Sequence, residues 1–374
     1  MLGLWAYPSN LVPLSYRLHA ELAKQHNGAE RWGYRTLHVG QIDCKGRPLQ
    51  RKKETGEADA AIKGLPSNDE TKDRVSLQKR TKEAMGLLKA AGLPSDLDWV
   101  SHEAVRSYDE MGDPSTTAQV HPYLFTTSMA QMAEEAGVKI ELGARVTSIN
   151  PSKDSRSPAV QSVTYKNKAG AEETLDATHV VLAAGPWTTR LLPSAHISGL
   201  RAHSVTIRPT RPVSAYCLFT SIDLPPNFSQ TGETKRKQKH GSQTVTPEIY
   251  ARPNNEIYAC GEGDTHVPLP ETTEDVVTED SRCQDIVDYV GAISDELRDG
   301  EVTVRQACYL PVCDMGGGPY IGEVNEMKNL ILASGHSCWG IQNGPGTGKL
   351  VSEIVMEGKA KSARLGKLDP KFAL

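Results

Sequence analysis

The chain has 374 residues, 38% of them hydrophobic and 24% charged, with a formal net charge of −4. That length is more than one core usually organises, so two interleaved domains are expected. The charge gives no reason to expect a nucleic-acid or anionic-membrane partner. The longest apolar run worth testing as a membrane span, residues 180–187, is broken by Gly185 and Pro186 and falls far below the roughly 20 residues a bilayer crossing requires.

Residues 1–5 carry no basic n-region and no signal-like cleavage pattern. The seven cysteines are odd in number and include no CxxC pair, which reads as reduced thiols in a cytoplasmic protein.

In chain order, Leu11, Leu14, Leu18 and Leu22 are spaced 3, 4 and 4 apart and share one helical face. Asn10 can cap that helix, Pro13 is tolerated in its first turn, and Asn27-Gly28 can end it. Residues 32–42 read as a strand, 45–73 as a charged, solvated insertion, and 75–91 as a short amphipathic helix. Phe125, Met129, Met132 and Ala136 form a helical stripe that Gly137 stops. Val138, Ile140 and Leu142 alternate with Lys139 and Glu141 as a strand does, and a further strand is expected at 145–149. Residues 179–184 form an apolar run of the kind a parallel strand buried on both faces shows.

Residues 202–219 and 248–261 read as strands of a second, antiparallel sheet. The polar loop between them carries Lys235-Arg236-Lys237-Gln238-Lys239, read as solvated. A helix is expected over 279–297, a strand over 302–310 and a second buried strand at 330–333. A glycine-rich loop follows, then a helix bearing Leu350, Val351, Ile354 and Val355. Strand, glycine loop and helix are the unit with which α/β proteins hold phosphates and cofactors.

The glycine-rich stretch, residues 335–349, is not a phosphate-binding loop of the Walker type. Asn343 stands where its leading glycine belongs and Leu350 where Ser or Thr should follow the lysine. Two readings remain open. Backbone N–H groups and a helix start can approach a flat anionic ligand here, or the stretch is a turn with Thr347 as N-cap.

Four motifs in order then resemble the glycine oxidase/D-amino-acid oxidase/sarcosine oxidase (DAO) family of FAD-dependent oxidoreductases. Gly335-His336-x-x-x-Gly340-Ile341-x-x-x-Pro345-x-Thr347-Gly348 is similar to that family's C-terminal flavin loop. Val180-Val181-Leu182-Ala183-Ala184-Gly185-Pro186-Trp187 resembles its "VVxAAGxW" strand and turn. Gln119-Val120-His121-Pro122 with Gly137-Val138 resembles the segment leading to the adenine side, and residues 314–322 resemble the segment before the last strand.

The resemblance implies an α/β fold plus antiparallel β. Its Rossmann-like FAD lobe would be residues 1–28, 115–195 and 311–374, and its substrate lobe residues 29–114 and 196–310. FAD is the implied cofactor, and a small-molecule amine or amino acid the implied partner, oxidised at a C–N bond. The implied FAD-binding residues are Val146, Ala183, Ala184, Gly185, Trp187, Gly335, His336, Trp339, Gly340, Ile341, Gly344 and Thr347. His336 is expected near the ring.

Two departures stand out. There is no G-x-G-x-x-G, which in the family opens the first βαβ unit; Gly3-Leu4-Trp5-Ala6 resembles the segment just after it. Leu310 stands where the family carries a carboxylate-binding arginine, before Pro311. These departures keep a second reading open, a non-catalytic binding or regulatory protein, such as a trafficking adaptor, that retains the oxidoreductase fold. His102-Glu103 begins like a zinc-protease motif, but Arg106 replaces the second histidine.

Overall fold

The computed structural model describes residues 1–49, 92–153, 158–226, 228 and 243–373. The expected helix at 75–91, most of the 45–73 insertion and the lysine-rich loop lie outside them. The described elements begin with β1 (Leu2–Gly3), α1 (Val12–Gln25), α2 (Gly28–Trp32), β2 (Arg35–Thr36), β3 (His38–Lys45), β4 (Val105–Gly112), β5 (Thr117–Gln119) and α3 (Pro122–Glu135). Then come β6 (Arg145–Pro151), β7 (Val160–Lys166), β8 (Glu172–Asp176), β9 (Val180–Leu182), β10 (Ile197–Arg208), β11 (Tyr216–Leu224), β12 (Gln243–Val245), β13 (Glu248–Arg252) and β14 (Glu256–Asp264). The last are α4 (Asp280–Gly291), β15 (Glu301–Cys313), β16 (Tyr320–Glu323), β17 (Leu330–Ser334) and α5 (Gly340–Glu357).

The result is the expected mixed α/β fold. One large sheet runs β15-β10-β14-β13-β11-β3-β4, with β12 on β11. It is antiparallel except where β11 pairs β3 in parallel. Strand alternation gives it two faces. On one face Val205, Ile207, Ile257 and Ala259 pack beneath Cys283, Ile286 and Val290 of α4 in the main core. Each large aliphatic side chain buried there contributes about 1.5–3 kcal/mol.

A smaller sheet runs β16-β17-β9. Here β9 and β17 are parallel, with Leu330 opposite Val180 and Leu332 opposite Leu182. Their carboxyl ends therefore open side by side, the place where α/β sheets hold ligands. Helix α5 leaves β17 and packs on α1, with Leu11, Leu14, Leu350, Ile321 and Leu368 in one cluster.

Several local expectations change. The leucine stripe does form α1, but no side chain caps it; Asn10 instead donates to the carbonyls of Arg364 and Leu365. Trp32 ends α2, and the long strand starts only at His38. Helix α4 stops at Gly291, and a separate turn, Asp295–Arg298, follows a Ser294 cap.

Residues 138–142 form no strand. Val138, Ile140 and Leu142 are 54%, 39% and 78% exposed, and alternation alone cannot hold a strand that has no hydrogen-bonded neighbour. The 179–184 run is likewise not buried on both faces. Among the described residues strand β9 pairs on one side only, and Val181 is 41% exposed.

Candidate functional site

Two turns meet at the carboxyl ends of β9 and β17. Gly335 has φ +84°, and a Cβ there would come within 2.4 Å of Cys313 Sγ, so only glycine fits. Just before it, Ser334 Oγ accepts from Thr188 Oγ1 at 2.8 Å. The Gly185 carbonyl lies within hydrogen-bond distance of both hydroxyls, at 2.7 Å from Thr188 Oγ1 and 3.2 Å from Ser334 Oγ, and accepts from Ser334 when Thr188 donates to Ser334. This net ties the turn carrying Ala183, Ala184, Gly185 and Trp187 to the turn carrying Gly335 and His336.

Trp187 Nε1 donates to Pro270 O at 2.7 Å. Arg190 and Arg145 both reach the Glu271 carboxylate, at 3.2 and 3.1 Å. That bridge brings the start of β6, and with it Val146, beside the same turn.

The turn Ser337–Trp339 runs directly into α5 at Gly340. Helix formation therefore begins eight residues earlier than an N-cap at Thr347 would place it. Gly340, Ile341, Gly344 and Thr347 all lie within the helix. Its opening amides, and the positive end of its dipole, point at the turn rather than at residue 347.

The glycine-rich half of α5 is held by α1. Pro345 has no N–H to give the carbonyl of Ile341, four residues back. His19 Nε2 supplies that bond instead, at 2.8 Å. Ser15 Oγ donates to Asn343 O (3.2 Å) and accepts from Gly346 N (3.0 Å), an approach that a Cβ on Gly346 would block at 2.1 Å. Gln342 Oε1 accepts from Gly3 N at 2.7 Å, and Asn343 Nδ2 donates to Tyr7 O at 2.9 Å.

Burial pushes both His19 and His336 down to about 4, so both are neutral near pH 7. His336 Nε2 lies 3.4 Å from Thr347 Oγ1, while its Nδ1 is buried without a partner.

Opposite the turn stands the second face of the large sheet, with Trp5 against it. Sequence reasoning did not single out Trp5, Phe219 and Glu248, and it read Tyr250 and Arg252 as part of a structural strand. Trp339 meets Trp5 edge to face, ring centroids 5.9 Å apart, and Trp5 meets Phe219 at 5.9 Å. Phe219 meets Tyr250 at 6.5 Å and Tyr250 meets Tyr258 at 5.8 Å. Tyr250 Oη donates to the Glu248 carboxylate, and burial first, then that neighbouring charge, raises the phenol well above its ordinary range. Arg252 lies over the Tyr258 ring and pairs with Glu256 at 2.8 Å. His121 and Arg252 hold the Glu256 carboxyl at about 2. The local signal was the alternation of Glu248, Tyr250 and Arg252.

These residues fit the ring end of a flavin. Cβ atoms at Gly185, Gly344 and Gly348 would meet nothing within 4 Å, and one at Gly340 only His336 Cβ at 3.8 Å. Flat access is therefore open, while His336 Nδ1 and Gln342 Nε2 are buried polar atoms awaiting partners. The G-x-G-x-x-G turn missing from the sequence has no counterpart among the described residues. Among those residues no group of three or more His, Cys, Asp or Glu side chains is placed to hold a metal ion. Nor is any helix long and apolar enough to cross a membrane.

Comparison with known proteins agrees. The chain is 32% identical over 461 residues to "Putative oxidoreductase TDA3" of Saccharomyces cerevisiae, spanning all of this chain and 85% of that protein. It is 31% identical over 380 residues to a second oxidoreductase so described, from Schizosaccharomyces pombe, covering 99% of this chain and 84% of the relative. The crystal structure of glycine oxidase from Geobacillus kaustophilus shares the fold, with TM-score 0.64, 18% identity, and 99% and 85% of the two chains covered. That of iminodiacetate oxidase from Chelativorans does so with TM-score 0.60, 13% identity, and 98% and 85% covered. The family described as FAD dependent oxidoreductase (DAO) matches residues 10–354, and with the two turns and the helix start in place the chain belongs to that family of FAD-dependent oxidoreductases.

Proposed function

We propose that the chain oxidises a C–N bond of an amine or amino acid, with its flavin held against the turn at Gly335 and the start of α5. The observation that carries this reading is that turn: a positive-φ glycine at the end of a parallel strand, a helix start behind it and an aromatic wall in front. Bound FAD supplies the hydride acceptor. The chain's own part is to orient and to exclude water.

In this reading Gly335, His336, Trp339, Gly340, Ile341, Gly344 and Thr347 serve the ring side. Ala183, Ala184, Gly185, Trp187 and Val146 serve the ribose and adenine side, and residues 196–310 form most of the substrate lobe. The helix start favours negative charge on the ring. His336, neutral because buried, leaves its Nδ1 free to hydrogen-bond there. Among the described residues the site contains no triad or carboxylate pair that would supply a base.

Supporting the substrate class, two proteins of the same fold are named glycine oxidase and iminodiacetate oxidase. All seven cysteines are free, which supports a reducing, cytoplasmic setting. The test is anaerobic bleaching of the flavin absorbance by a panel of glycine, D-amino acids, sarcosine and simple amines. Bleaching by at least one member is expected, and a flavin that stays oxidised with every member overturns the reading.

A further inference from the structure

We propose that Glu248 and the aromatic wall beside it recognise the substrate through an alkylated ammonium group, so that cationic amines without a carboxylate are preferred over amino acids. This deepens, and rests on, the C–N oxidation proposed above.

The strand register places the group. Phe219 stands opposite Glu248, Cys217 opposite Tyr250, Cys260 opposite Glu248 and Tyr258 opposite Tyr250. All six share the sheet face that meets Trp5 and Trp339. The Glu248 carboxylate is half-buried. Its contacts are the Tyr250 hydroxyl and, at 4.0 Å, Cys260 Sγ. Among the described residues it has no ion-pair partner.

The nearby arginines are engaged. Arg252, two residues along the strand, is taken by Glu256 and the Tyr258 ring. Arg35, whose charge reaches Cys217, donates to the Ala251 carbonyl. Strand β15 adds none. It shows Gln306, Cys308 and Leu310 to this face, as the pairing of Gln306 with Ser204 and of Ser204 with Cys260 requires. Its one arginine, Arg305, turns to the opposite face, where it donates to Gln284 Oε1 and Asp280 O.

A half-buried carboxylate without a counter-ion is costly, and a cationic ligand removes that cost. Phe219, Tyr250 and the two tryptophans put aromatic rings beside that carboxylate, and ring faces attract N-alkylated ammonium groups, which lose little hydration. A zwitterionic amino acid would bring its own carboxylate toward Glu248, and β15 presents no arginine to this face to receive it. With Leu310 apolar at its place on this face, the charge the site can read is positive.

The experiment uses the full-length, FAD-loaded protein, with tetramethylammonium as an inert probe followed by tryptophan fluorescence. N-methylated alkylamines and sarcosine serve as matched substrates. Glu248→Gln is expected to weaken tetramethylammonium binding about tenfold and raise KM for the alkylamine similarly, with kcat little changed. Glu248→Asp should recover most of the loss, and Phe219→Leu should weaken the probe severalfold through the lost ring alone. Unaltered tetramethylammonium binding in Glu248→Gln and Phe219→Leu overturns the proposal, as does a wild-type preference for sarcosine over the alkylamine. If no amine or amino acid reduces the flavin, the oxidation reading falls by itself. The fluorescence titration then decides for or against the cation site.

Discussion

The link between His19 and Pro345 can be tested by a double-mutant cycle. Pro345 sits inside α5 and cannot donate to the carbonyl of Ile341, so His19 Nε2 is that carbonyl's donor at 2.8 Å. His19 itself is fully buried. His19→Leu keeps most of the volume packed against Phe125, whose ring lies 4.9 Å away, but strands the carbonyl. An unmet buried acceptor costs about 1–3 kcal/mol, so a loss of about 2 kcal/mol is expected in urea unfolding. In a Pro345→Ala background the alanine N–H closes the ordinary helical bond. There His19→Leu should cost less, by about 1 kcal/mol or more. Equal costs in the two backgrounds, to within about 0.5 kcal/mol, would refute the claim that α1 completes the hydrogen bonding of α5. They would leave His19 a packing residue only.

That link also shows where sequence reading stopped. The leucine stripe of α1, the strand at 330–333 and the turn at Gly335 were legible, because each rests on local periodicity or a glycine break. The start of α5 was not. Gly340, Gly344, Pro345, Gly346 and Gly348 give the segment poor helix propensity, and what makes it helical is donation from Ser15 and His19, more than 300 residues away in sequence. Conversely, the alternation of Val138, Ile140 and Leu142 is a strand pattern, yet no partner strand pairs with it among the described residues. The glycine-turn half of the candidate site was therefore readable as a motif. Its aromatic and acidic wall was not, because Phe219, Glu248 and Trp5 come together only through strand register and tertiary packing.

Three further outcomes are expected. Gly340→Val, whose first added atom would meet only His336 Cβ at 3.8 Å, should keep the fold while losing flavin; full flavin occupancy by absorbance would contradict the proposed ring position. Arg201→Met should destabilise by about 3–5 kcal/mol in chemical unfolding, because Arg201 is fully buried and grips Asp264 and Glu279. A loss under about 1 kcal/mol would mean that those carboxylates find other partners.

The last outcome is a pH dependence. His19 and His336 are held near 4 by burial, against about 6.5 in the unfolded chain. Between those values the unfolded state binds protons that the native state refuses, so stability is complete above pH 6.5 and falls as pH drops toward 4. Each histidine contributes up to about 1.4 kcal/mol per pH unit in that window, about 3 kcal/mol in all. Carboxylates such as Glu256 and Glu353, held at about 2, weaken the fold only at lower pH, so the interval from 6.5 to 4.5 isolates the histidines. The unfolding midpoint should therefore drop between pH 7 and pH 5; His203, lowered by burial in the same direction, adds to that drop, and His19→Leu should remove part of it. A wild-type midpoint that is flat across the interval would mean that these imidazoles are not held neutral by the fold.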